Sequence, residues 1–80
     1  MTQDDLERAA LQYEEAATEL ERAIAHCHVA AQRFRAREQA SGCAHAWAAQ
    51  GHLSVALELL DAQARQHRTH ALVPGDEGFR

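Results

Sequence analysis

The sequence predicts an all-α fold, and three observations carry the prediction. Apolar residues recur at alternating steps of four and three through the first half; no Gly or Pro occurs before Gly42; and a second apolar stripe with helical spacing runs from Leu53 to Ala64. Together they describe a long N-terminal helix, about 2–39, packed antiparallel on one or two further helices, about 42–50 and 53–70. The result is a helical hairpin or a three-helix bundle.

The first helix is the better marked. Leu6, Ala10, Tyr13, Ala17, Leu20, Ile24, Cys27, Ala31 and Phe34 make a heptad seam of about four repeats. The positions between are mostly Glu, Gln, Arg and Ala, all good helix formers. Thr2 supplies a capping hydroxyl, and Asp4, Asp5 and Glu7 place acids on the positive end of the helix dipole. Because several seam positions are Ala or Cys, the seam suits the inside of a tightly packed bundle better than a leucine zipper. After Phe34 its continuation would fall on Glu38 and Ser41, so Ser41-Gly42 reads as the stop.

The second half has two layouts. Cys43, Ala44 and Trp47 open a helix, and Leu53, Ala56, Leu57, Leu60 and Ala64 continue a stripe to about His70. Gly51 is either a residue inside one helix or a corner between two. An interior Gly costs only about 1 kcal/mol relative to Ala, so propensity does not decide between them. Ala44, Trp47, Gly51, Leu53, Ala56 and Leu60 have offsets that resemble one helical hairpin of the tetratricopeptide repeat, over residues 40–66. That resemblance implies a turn at Gly51. It departs from the repeat at Ala40, Gln63 and Arg68, where the family favours Trp, Ala and Pro, and a lone repeat has no stacked neighbours to form a peptide groove. Residues 1–70 are expected to form one domain and 71–80, with Val73-Pro74-Gly75, a flexible tail.

Eighty residues bury only a little over 60% of their unfolded surface, so a lone chain is marginal. A first helix of about 37 residues spans about 55 Å, longer than the expected return, so the segment around Leu6, Ala10, Tyr13 and Ala17 needs another cover. The seam residues Leu6, Ala10, Tyr13, Ala17, Leu20, Ile24 and Phe34 are therefore the expected interface, with a second copy of the chain, another helical protein, or both. Trp47, Leu53, Leu57 and Leu60 are the expected anchors of the second half. Charge is uneven. Seven acids against two arginines lie between Asp4 and Arg22, and Arg33, Arg35 and Arg37 lie together further on, a pattern that favours antiparallel or head-to-tail pairing.

Other classes find less support. A net charge of −4 with no clustered basic stripe argues against a nucleic-acid binder, and a helix-turn-helix at Gly51 would present Glu58 and Asp61 without a basic residue between Ser54 and Gln63. No apolar run reaches the length of a membrane span. With no leader-like segment before Cys27 and Cys43, both read as reduced thiols and the compartment as cytoplasmic. The abundance of Ala and the exclusive use of Arg among basic residues read as the codon bias of a GC-rich bacterial genome.

Six histidines invite a metal hypothesis, so a His/Cys metal-binding bundle is one alternative reading of the chain, and a small DNA-associated regulatory protein is the other. His26 and His28, or Cys43 and His45, are two residues apart and diverge on a helix. Only His67 and His70 share a face, while His28 facing His52 across helices is the remaining route. The expectation is no cofactor and no metal, with Cys27 and Cys43 in the core and the histidines on solvated or helix-end positions. No nucleophile elbow, phosphate loop or Glu-x-x-His motif is present, so no catalytic residue is expected.

Overall fold

The computed structural model describes residues 1–71, without the side chains of Thr69 and Ala71. It is an all-α helical hairpin with no strand among the described residues: α1 runs Gln3–Arg35 and α2 runs Gln39–Ala71, each 33 residues long. The expected tail, apart from Ala71 at the end of α2, lies outside the described residues.

At the start of α1, the Thr2 hydroxyl accepts from the Asp5 amide and the Asp5 carboxylate accepts from the Thr2 amide, each at 3.1 Å, a complete capping box. These bonds hold the Asp5 carboxyl below its ordinary pKa, the Thr2 backbone bond most strongly.

The helix ends earlier than the expected stop at Ser41-Gly42. Arg37 adopts a left-handed conformation, φ 62°; its amide donates to the Phe34 carbonyl at 3.0 Å, and the Glu38 amide donates to the Arg33 carbonyl at 2.8 Å. These two reverse bonds satisfy carbonyls that the last turn leaves open, the arrangement usually built on Gly. An Arg33–Glu38 ion pair of 2.9 Å crosses the same turn. Gly42 therefore lies inside α2. Its amide bonds back to the Glu38 carbonyl at 2.9 Å, and the Phe34 ring lies over it, within 2.8 Å of where a Cβ would stand. The glycine accommodates a ring and breaks no helix.

Gly51 is also interior to α2, so the separate helices 42–50 and 53–70 are one, and the turn implied by the tetratricopeptide resemblance is absent. The physical reason is that its surroundings are open, with nothing within 4 Å of an added Cβ, and the α2 contact pattern continues through it. The two helices are equal in length, so the return covers the whole of α1, contrary to the expectation from their reach.

The face that α1 turns to α2 also differs from the heptad seam. Buried or half-buried positions are Ala9, Gln12, Ala16, Glu19, Ala23, His26 and Ala30, each one residue before a member of the apolar stripe. Opposite them α2 presents Gly42, His45, Ala49, His52, Ala56, Leu59 and Gln63, at the same spacing. Alanine and glycine at every seventh position let the backbones approach closely, and larger residues are displaced to the flanks. The buried apolar residues are accordingly all alanines: Ala16, Ala23, Ala30, Ala49 and Ala56. Cys27 and Cys43, expected in the core, are exposed and free, and Trp47 is 82% exposed.

Two substitutions test this description. Gly51→Ala should stabilise the protein by up to about 1 kcal/mol and raise Tm by a few degrees, because an interior helical position gains propensity without a clash; a loss of stability would restore the corner. Arg37→Gly should also raise Tm, by relieving about 1 kcal/mol of left-handed strain, with the helical content in circular dichroism unchanged.

Candidate functional site

Two features stand out, one within the helix contact and one on a broad side of the pair. The first is a row of polar side chains set into the contact between the Ala positions. The His52 Nδ1 donates to Glu19 Oε1 at 2.7 Å, since a carboxylate can only accept, and Arg22 pairs with the same carboxylate at 3.1 Å. The His52 ring stacks on His26, with centroids 5.4 Å apart and planes 11° from parallel. His26 in turn places its Nδ1 2.9 Å from Nδ1 of His45, one of the two nitrogens carrying the proton between them. The row Glu19, His52, His26, His45 thus alternates between helices.

Nearer the open end, Gln63 donates to Gln12, His67 Nε2 donates to Gln63 Oε1 at 2.8 Å, and the Tyr13 ring stacks on His67 at 5.8 Å. No buried side-chain nitrogen or oxygen among the described residues lacks a partner. The Glu19 carboxyl sits below its ordinary pKa, chiefly because it accepts the His52 hydrogen bond, with Arg22 adding to the effect against the opposing influence of burial.

Sequence spacing pointed to a different set of histidines. His28 is exposed and does not face His52, whose partner is His26; His70 is exposed, and His67 pairs with Gln63 and Tyr13 instead. The expectation that the histidines occupy solvated or end positions fails for His26, His45, His52 and His67, which lie part-buried in the helix contact. The missed signal was the seven-residue spacing of His45 and His52, in phase with Glu19 and His26 on α1. Among the described residues, no three potential ligand side chains already converge on one point.

The second feature is the apolar stripe itself. On α1 it consists of the predicted interface residues Leu6, Ala10, Tyr13, Ala17, Leu20, Ile24 and Phe34, and the structure places them beside the intramolecular contact, all exposed except the half-buried Leu20. The positions one after each α2 contact residue continue it: Cys43, Ala46, Gln50, Leu53, Leu57, Leu60 and Ala64. Both stripes lie on one side of the pair. The Tyr13–His67 stack joins them at the open end, and Cys27, Ala46, Gln50 and Leu53 together line a shallow groove of about 270 Å³ floored by Ala23, Ala30 and Ala49. Neither stripe contains a charged residue.

Among the described residues no helix is long and apolar enough to cross a membrane. The cross-helix Glu19–His52 bond gives a pH test with a fixed sign. Because folding lowers the Glu19 pKa, its contribution to stability is complete above the ordinary carboxyl value of 4.5 and disappears as pH falls through the lower folded-state value. Melting curves of the wild type and Glu19→Gln should therefore differ near neutrality, with the wild type higher, and converge as pH falls well below the ordinary value of 4.5. A gap that stays constant would assign Glu19 a role other than this bond. No family model, no curated protein and no solved structure matches this chain.

Proposed function

We propose that the protein is an assembly module that acts through this uncharged apolar face, pairing first with a second copy of itself to make an antiparallel four-helix bundle. The observation that carries the reading is the thinness of the hairpin: its extents are 55 × 27 × 13 Å, one helix deep, with Leu6, Tyr13, Ile24, Phe34 and Leu57 exposed along one broad side, while Leu11, Trp47 and Val55 are exposed outside that stripe. Leu6 is 50% exposed, Ile24 58% and Leu57 47%. A buried methyl contributes about 0.8 kcal/mol, whereas a fully buried Leu or Ile contributes about 1.5–3 kcal/mol, so the unspent hydrophobic stabilisation lies on this face and not in the alanine contact.

A second copy is favoured over a foreign helix by charge. Residues 1–15 carry five acids and one arginine, at the open end of the hairpin; residues 33–38, at the turn, carry three arginines and one acid. Two hairpins laid face to face and head to tail bring each turn against the partner's acidic end. Leucine, Ile and Phe side chains of one copy then have the groove over Ala23, Ala30 and Ala49 to fill.

Light scattering of the wild type across a wide concentration range should give the mass of a dimer, with Tm rising with concentration. The double substitution Ile24→Asp, Leu57→Asp introduces charge only on exposed positions, so it should yield a folded monomer with a concentration-independent Tm. Leu11→Asp with Val55→Asp, exposed residues outside the stripe, should leave the dimer intact. A wild type that remains monomeric at high concentration defeats self-association.

A further inference from the structure

The paired nitrogens of His26 and His45 stand at a separation that suits a hydrogen bond and also suits two ligands on one ion. They come from different helices, both rings are part-buried, and Nδ1 stands 2.9 Å from Nδ1. Two imidazole nitrogens held about 2.0–2.1 Å from one ion lie about 2.9 Å apart at the right angle of Ni²⁺ or Cu²⁺ and about 3.3–3.4 Å apart at the tetrahedral angle of Zn²⁺. The pair thus already has the separation of two neighbouring ligands on Ni²⁺ or Cu²⁺, and an opening of about 0.5 Å suits Zn²⁺. We propose that His26 and His45 form a cross-helix chelate for a late first-row divalent ion, Ni²⁺, Cu²⁺ or Zn²⁺, which replaces the proton between the two rings.

The surroundings support that exchange. With both rings neutral, the ring that carries the shared proton on Nδ1 shifts to its Nε2–H tautomer, so the ion takes two neutral Nδ1 donors with no net change in bound protons. His52 stacks on His26 and is itself held through Nδ1 by Glu19, which fixes the orientation of the ring against which His26 rests. Glu19 therefore acts two rings away, as a positioning residue, and its negative charge favours a cation in the row. The remaining coordination positions are left to water. The site lies in the helix contact, whereas the proposed self-association uses the flanking stripe; binding therefore joins α1 to α2 within one chain and does not depend on dimer formation.

The test uses the wild-type chain with Ni²⁺ or Zn²⁺ chloride. Saturating ion should raise Tm by roughly 5 °C, reversibly on adding a chelator, at one ion per chain. His26→Ala and His45→Ala should each abolish the rise. His28→Ala, His70→Ala and the double Cys27→Ser, Cys43→Ser variant should retain it, since those residues lie outside the pair. Because a ligand variant can lose its fold, ¹⁵N spectra of the wild-type imidazoles provide a second readout: on adding Zn²⁺, the Nδ1 signals of His26 and His45 should move together. Absence of a Tm rise, survival of the rise in folded His26→Ala or His45→Ala, or movement confined to other imidazoles would each overturn the site.

Discussion

Close approach of two helix backbones is the constraint on which the rest of the structure depends. Ala9, Ala16, Ala23 and Ala30 on α1 meet Gly42, Ala49 and Ala56 on α2, and at this spacing a Leu or Ile could not enter without forcing the helices apart. Most larger apolar side chains are displaced from the contact, Leu59 excepted. That displacement creates the uncharged face, because Leu6, Tyr13, Leu20, Ile24, Leu53, Leu57 and Leu60 stand one position beyond the contact. The same closeness lets His and Glu side chains from opposite helices bond directly across the pair, as Glu19 does with His52 at 2.7 Å.

Small residues alone would not align the helices. An alanine stripe repeating every seven residues is nearly indifferent to a slip of one heptad, since each Ala would meet another small residue. The polar insertions remove that freedom. In the observed register Glu19 faces His52, His26 faces His45 and Gln12 faces Gln63; a slip of one heptad would set Glu19 opposite His45 or His26 opposite His52, but would break the Gln12–Gln63 bond and part of the histidine row, at about 1–3 kcal/mol for each group left without a partner. The contact thus divides its work: alanines set the distance and the histidine and glutamine pairs set the alignment. Use of polar groups for register, at some cost to stability, has its best precedent in coiled coils.

The sequence disclosed the helices more fully than their facing. Periodicity, capping residues and the absence of early Gly and Pro place α1 and most of α2, because these are local properties of the chain. The phase of the contact was not legible in the same way. Two stripes share one period on α1, one apolar and one of Ala, Gln, Glu and His, and hydrophobicity favours the first. The second wins within the chain because the gain from close packing depends on what the opposite helix presents, here Gly42, Ala49 and Ala56. The turn was missed for a related reason: Gly42 and Gly51 look like breakers, whereas the residue that takes the left-handed conformation is Arg37, held there by reverse hydrogen bonds and flanked by the Arg33–Glu38 ion pair. Of the candidate ligands, His52 alone falls in the row, and its neighbours His26 and His45 become visible only once α2 is known to run unbroken.

A two-helix layer has two sides, and here they differ in what they can offer. On one side Leu6, Ile24 and Leu57 stand exposed with no charge near them in the stripe, a surface whose removal from water is favourable for any partner of matching shape. In the contact itself, the histidine row is already satisfied by its own hydrogen bonds and gains little from burial. The proposed association and ion capture would therefore draw on different interactions, the first on apolar area and the second on lone pairs at His26 and His45. They would nonetheless be coupled through rigidity. An ion joining α1 to α2 near the turn would hold the two halves of the apolar face in fixed relation, and a preorganised face loses less conformational entropy when it pairs.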